Sequence, residues 1–334
     1  MLDLHNHRPA RLPKGHPPVL TIVVDTEEEF DWAASFSRDN TSVASIAAQP
    51  VIHEQVYNRH GMVPTYVIDW PVATTPAAFN VLKELQENGH AEIGSHLHPW
   101  VSPPHLEEVN VFNSYAGNLP GAWEFQKIER LTQAITENLG TAPTVFKAGR
   151  YGVGAHTAES IARLGYRIDA SVVPYTTMTA DGGPDFSAHG PDPFWFEADG
   201  KALLEMPATA GYSGALHSNG RMLYPFLQTS ALRRLRAPGI VSKLGLLDRI
   251  KLTPEGCSLE QLKALTRSMV KQGTWFFGLT YHSPSLVPGN TAYVRNDHDL
   301  QIFIQCIDCY LAFFKEEMRG VFMSSSELLN VLKV

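Results

Sequence analysis

Short apolar runs alternate with amphipathic stretches along most of the chain. Residues 19–24 are β-branched and apolar and follow Pro17-Pro18, which predicts a buried strand. A second strand is predicted over 63–68, after Gly61, and a third over 91–94. Between them, 76–88 has Phe79, Leu82 and Leu85 at helical spacing, with Gly89 as a C-terminal stop. The clearest amphipathic helix is 124–139, where Phe125, Ile128, Leu131, Ile135 and Leu139 share a face and Gly140 ends it. Strands over 143–146 and 166–168 flank a helix over 157–164. Ser258 and Gln261 form a capping box before Leu262, Leu265 and Met269, and an aromatic strand over 275–281 follows. A last helix starts at Asp297 and a last strand at Val321.

This alternation predicts an α/β fold, a single barrel over 1–334 rather than a sandwich or bundle. Two stretches break the rhythm. Residues 176–193 are rich in Gly, Pro and Asp and read as a long surface loop. Residues 230–251 carry Arg233, Arg234, Arg236, Lys243, Arg249 and Lys251 among Leu and Ile, and read as a solvated basic helical insertion. A basic patch of this kind could instead dock an acidic glycan or a partner.

Composition narrows the class. Hydrophobic residues at 44% and charged residues at 18% suit a globular enzyme. The net charge of -7 argues against nucleic acid as a partner, because phosphate binding needs clustered Lys and Arg. No apolar run is long enough to span a bilayer. The first residues lack the charged start and apolar stretch of a signal peptide, so a cytoplasmic location is expected. Three cysteines make a disulfide framework unsuited: Cys306 and Cys309 fall on an apolar-periodic helix as packing residues, and Cys257 stands alone.

Candidate chemistry sits just past the strands. Val23-Val24-Asp25-Thr26-Glu27, Gly94-Ser95-His96-Leu97-His98 and Thr280-Tyr281-His282 each close an apolar run. In α/β barrels the strand C-termini converge on one mouth, so residues far apart in sequence can meet there. Asp25 and Glu27 are two apart and point the same way on an extended segment. One carboxylate can ligate a metal while its neighbour takes a proton from water. Glu28, Glu29 and Asp31 follow at once, and taken alone the run Asp25-Thr26-Glu27-Glu28-Glu29 reads as a helix start or a solvated turn rather than a site. His96 and His98 have the same alternating spacing, and neutral imidazoles suit zinc. A histidine across the cleft, His282, is placed for a general acid.

With these residues in this order, the chain resembles the polysaccharide deacetylases of the NodB-homology group (carbohydrate esterase family 4), most closely the WalW-like branch. The likeness runs over nearly the whole chain. It implies a distorted, NodB-like (β/α) barrel with seven or eight strands and zinc or another divalent metal. It also implies removal of N- or O-linked acetyl groups from a sugar or glycan precursor, a small-molecule or oligosaccharide substrate. Asp25 matches the family's catalytic base, Glu27 its metal carboxylate and His96 its first metal histidine. The second metal histidine normally lies four residues on, where this chain has Trp100, so His98 is the substitute. In Phe146-Lys147-Ala148-Gly149-Arg150-Tyr151, which resembles the third motif, Lys147 stands in the place of the arginine that orients the base. Arg has the planar fork that Lys lacks, so Arg150 is expected to take the role and to contact Asp25 or Asp169. Asp169 resembles the fourth motif and His282 the fifth motif's general acid. Two other readings stay open: an amidohydrolase acting on a non-sugar C–N bond, and a silent glycan-binding barrel.

Overall fold

The computed structural model describes residues 1–31 and 34–332. Its strands are β1 (Arg8–Pro9), β2 (Val19–Thr26), β3 (Thr65–Ile68), β4 (Glu92–Leu97), β5 (Val145–Ala148) and β6 (Ile168–Asp169). They continue as β7 (Phe194–Ala198), β8 (Lys201–Glu205), β9 (Ala210–Ser213), β10 (Asp248–Lys251), β11 (Phe276–His282) and β12 (Val321–Phe322). Among the described residues the main sheet runs β1-β7-β8-β6-β5-β4-β3-β2-β11, with β12 also on β2. From β8 through β6, β5, β4, β3 and β2 to β11 every pairing is parallel, seven strands in all. The antiparallel β7 and β1 cover the far edge.

Helices lie between most consecutive parallel strands and cover the outer face of the curled sheet. After β8 the chain crosses to the other edge: Thr209 N donates to Gly278 O (3.1 Å) and Gly278 N to Thr209 Oγ1 (2.8 Å). The expected distorted (β/α) barrel of the NodB type is therefore the observed fold.

Period-two alternation decides what each strand residue touches. On β2, buried throughout, Val19 and Val23 join an inner cluster with Val67, Val145, Ile168 and Phe276. Leu20, Ile22 and Val24 join the outer cluster beneath the helices, with Tyr66, Ile68, Leu97 and Phe146. A helix not anticipated from the sequence, Ser325–Val331, adds Leu328 and Leu329 to the inner cluster. The helices Pro76–Glu87, Gly121–Leu139, Thr157–Arg163, Leu259–Lys271 and Asp297–Glu316 lie close to their predicted limits. The Ser258–Gln261 capping box is formed. The basic stretch is helical only in part: Ser230–Arg234 and Ala237–Lys243 are short helices, whereas residues 248–251 are β10, paired with β9.

Candidate active site

Register places the candidate residues in one ring. His282 of β11 is paired with Asp25 of β2, Asp25 with Val67 of β3, Val67 with Gly94 of β4, and His96 with Lys147 of β5. Residues paired across a sheet share a face, and Val67 and Val145 face the interior. Asp25, His96, Lys147 and His282 therefore project inward at the C-terminal ends, above the apolar inner cluster. Two glycines permit the crowding. A Cβ on Gly94 would lie 2.7 Å from Val145 O, and one on Gly149 would lie 2.2 Å from His98 Cδ2. The resulting cleft has a volume of about 1000 Å³ and is lined by Asp25, Glu27, His96, His98, Lys147 and His282.

Three donors converge in the floor. Glu27 Oε2 lies 3.4 Å from His96 Nε2 and 3.3 Å from His98 Nε2, and all three side chains are buried. Each imidazole is turned by its other nitrogen. His96 Nδ1 bonds Lys147 O (3.1 Å), and His98 Nδ1 bonds Glu28 Oε2 (2.8 Å). Glu28 also accepts from Trp100 Nε1 (2.8 Å), and its backbone N donates to Asp69 Oδ2 (2.8 Å). Trp100, standing where a second metal histidine was expected, thus fixes the carboxylate that aims His98.

Burial pushes the Glu27 carboxyl well up and both imidazoles down. Both Nε2 atoms face Glu27 Oε2 in a desolvated floor, and among the described residues His98 Nε2 has no hydrogen-bond partner, so its lone pair is available to a cation. One oxygen and two imidazole nitrogens within 4.8 Å of one another form a donor set that suits a divalent metal. The residues fit the ion that the sequence led us to expect.

Asp25 lies beside this donor set. Lys147 Nζ donates to Asp25 Oδ1 and to Thr280 Oγ1 (3.1 Å), while Asp25 Oδ2 lies 3.8 Å from His282 Nε2. Burial alone would raise the Asp25 carboxyl, but Lys147, His96 and His282 outweigh it and hold it below the usual carboxylate range. On its other side, His282 Nδ1 bonds Glu255 Oε2 (2.7 Å) and its backbone N donates to Glu255 Oε1 (3.1 Å). Ser285 Oγ donates to the same oxygen (2.6 Å). Burial lowers the imidazole, yet Glu255, with Glu27 and Asp25 beyond it, raises it to about 9.

Two expectations need correction. Lys147, not Arg150, holds Asp25, because Lys147 lies on the inward face of β5 in register with His96. Arg150 is carried past the strand into a left-handed turn (φ 53°), and its guanidinium stacks 4.1 Å from the Tyr115 ring and donates to Ser114 Oγ. It lines the cleft wall but contacts neither Asp25 nor Asp169. Asp169 is paired with Phe146, which faces the helices, so its side chain leaves the sheet on the opposite face from Asp25. There it accepts from Ser171 Oγ (2.6 Å) beside Glu205. Two further residues, Glu28 and Glu255, belong to the site. In sequence Glu28 is one acid in a run that suits a helix start or solvated turn, yet it is fully buried. Glu255 sits in a loop with no motif around it, and only the fold brings it to His282.

No protein-family model matches the chain, and no curated protein matches it in sequence. Solved structures do resemble it. A Mycobacterium smegmatis protein described as a polysaccharide deacetylase superposes with a TM-score of 0.56 at 13% identity, over 97% of this chain and 93% of that one. A Pseudomonas aeruginosa protein of the same description gives 0.52 at 14% identity, over 94% and 90%. The PuuE allantoinase gives 0.55 at 15% identity, over 99% and 95%. This chain therefore has the fold that polysaccharide deacetylases and an allantoinase share.

Proposed function

We propose that the protein is a metal-dependent hydrolase that removes N- or O-linked acetyl groups from a sugar or glycan precursor, nearest in kind to the WalW-like deacetylases. The observation that carries this reading is the placement of Asp25, held by Lys147, and His282, held by Glu255, side by side next to the Glu27–His96–His98 donor set. Zinc, or another divalent ion, held by those three residues would polarise an acyl carbonyl and make water more acidic. Asp25, kept ionised by Lys147, accepts the proton of the attacking water. His282, kept charged by Glu255, donates from Nε2 to the departing amine or alkoxide. Lys147 leaves the base with a fixed cationic partner, which supports an active rather than a silent barrel.

The shared fold with the allantoinase favours one second reading, cleavage of a non-sugar C–N bond. Purified, zinc-loaded protein offered acetylated amino sugars, O-acetyl sugars and cyclic ureides separates the two by acetate release against ring opening. Asp25→Asn and His282→Ala are expected to keep bound zinc while losing about 10²–10⁴-fold in kcat. Near-normal turnover in either variant overturns the proton-transfer roles.

A further inference from the structure

The chain leaves β9 at Gly214 and returns to β10 at Leu247 through a cationic, outward-facing excursion. It carries Arg221, Arg233, Arg234, Arg236 and Lys243 and not one Asp or Glu, in a protein whose net charge is -7. Its apolar side chains face solvent: Met222 is 72% exposed, Phe226 67%, Leu235 70% and Leu244 66%, with Ile240 at 53%. The helix Gly220–Leu227 buries only its first glycine, and Ala237–Lys243 buries nothing.

The excursion is nonetheless built. Ala215 N donates to Gly245 O (2.9 Å) and Leu216 N to Leu246 O (2.8 Å), tying its ends together. The helices Gly220–Leu227 and Ala237–Lys243 touch each other and β10. From β10, Arg249 donates to Pro174 O (3.1 Å), and Lys251 reaches the hydroxyl of Tyr151 in the cleft wall. The protrusion is therefore tied to the same end of the barrel as the cleft.

We infer that this excursion docks on an anionic lipid surface. An acidic glycan would account for the five cations but not for the exposed Phe, Leu and Met. A second copy of the chain would cover the apolar groups, but a symmetric contact would set five cations against five. A membrane interface with anionic headgroups satisfies both: the apolar side chains enter the acyl boundary while Arg and Lys meet phosphate. Docking there holds the mouth of the cleft beside the lipid headgroups.

Vesicle flotation tests this without any substrate. Full-length protein is expected to float with phosphatidylglycerol-containing vesicles, not with pure phosphatidylcholine, and to be released by high salt. The pair Phe226→Asp with Leu235→Asp, and separately Arg234→Glu with Arg236→Glu, should each weaken binding about tenfold or more. Circular dichroism confirms that both pairs stay folded. The inference fails if wild-type protein does not float. It also fails if the apolar pair binds vesicles as wild type does, because charge alone then suffices, as for an acidic polysaccharide. A dimer in sedimentation that Phe226→Asp dissociates, without vesicle binding, assigns the surface to a second copy instead.

Discussion

At the scale of single residues, the site is governed by which atom of each side chain is already engaged. His98 presents Nε2 to Glu27 because Glu28 holds Nδ1, and Glu28 is itself fixed by Trp100 and by the backbone N–H it directs toward Asp69. Outer-sphere carboxylates of this kind fix the tautomer and aim of a ligating imidazole, and removing one typically costs about 10–100-fold in metal affinity. Glu28→Ala is therefore expected to weaken zinc binding by that factor in calorimetric titration, while Glu29→Ala, whose carboxylate serves Ser42 and the Ser45 backbone, leaves it unchanged. Equal losses in both variants would argue for a general disturbance of the loop. The Lys147 pair shows the same logic. A point charge suffices to keep Asp25 ionised when the strand register delivers it directly, so the planar fork of arginine is not required.

At the scale of elements, burial of a polar group is tolerated where the helix supplies a partner. Glu124, in the first turns of the helix Gly121–Leu139, is fully buried; Oε1 accepts from Thr157 Oγ1, while Oε2 has no hydrogen-bond partner among the described residues. Burial raises its carboxyl from 4.5 to about 7, only partly offset by Thr157. Because the folded value is the higher one, the native state keeps its proton while the unfolded chain gives it up. Its stabilising contribution is full below pH 4.5 and is lost as pH rises to about 7. Glu124→Gln, neutral at every pH and similar in shape, should match wild type in acid and exceed it by up to about 3 kcal/mol above neutrality. Denaturant melts of both proteins across that range check it; a constant offset at all pH values would show that Glu124 does not titrate this way.

At the scale of the whole molecule, the donor set Glu27, His96 and His98 joins the end of β2 to the end of β4 across β3, so it exists only in the folded barrel. A ligand that binds the native state alone stabilises it by mass action, on the order of 4 kcal/mol at a thousandfold excess over Kd. Zinc should raise the melting temperature, a chelator should reverse this, and Glu27→Ala should show neither response. A zinc-induced shift that survives in Glu27→Ala would place the ion elsewhere.

The alternation of apolar strands and amphipathic helices, and the acids and histidines at strand ends, follow from local periodicity, which is why the barrel and the group Asp25, Glu27, His96, His98 and His282 were legible in the sequence. What depended on register was not. Lys147 lies on β5 and Arg150 three positions on, in the turn after it, and only the inward face of β5 chooses between them. Asp169 sits one residue past an inward-facing position, and a shift of one reverses the face of a strand residue. Glu28 looked like one acid among several until packing buried it, and Glu255 reaches His282 across 27 residues of sequence without any local pattern to mark it. Local periodicity and residue type set the order of elements and the chemistries on offer. The tertiary structure decided which side chains share a cavity, because that depends on face, register and desolvation, and none of these is a property of a segment alone.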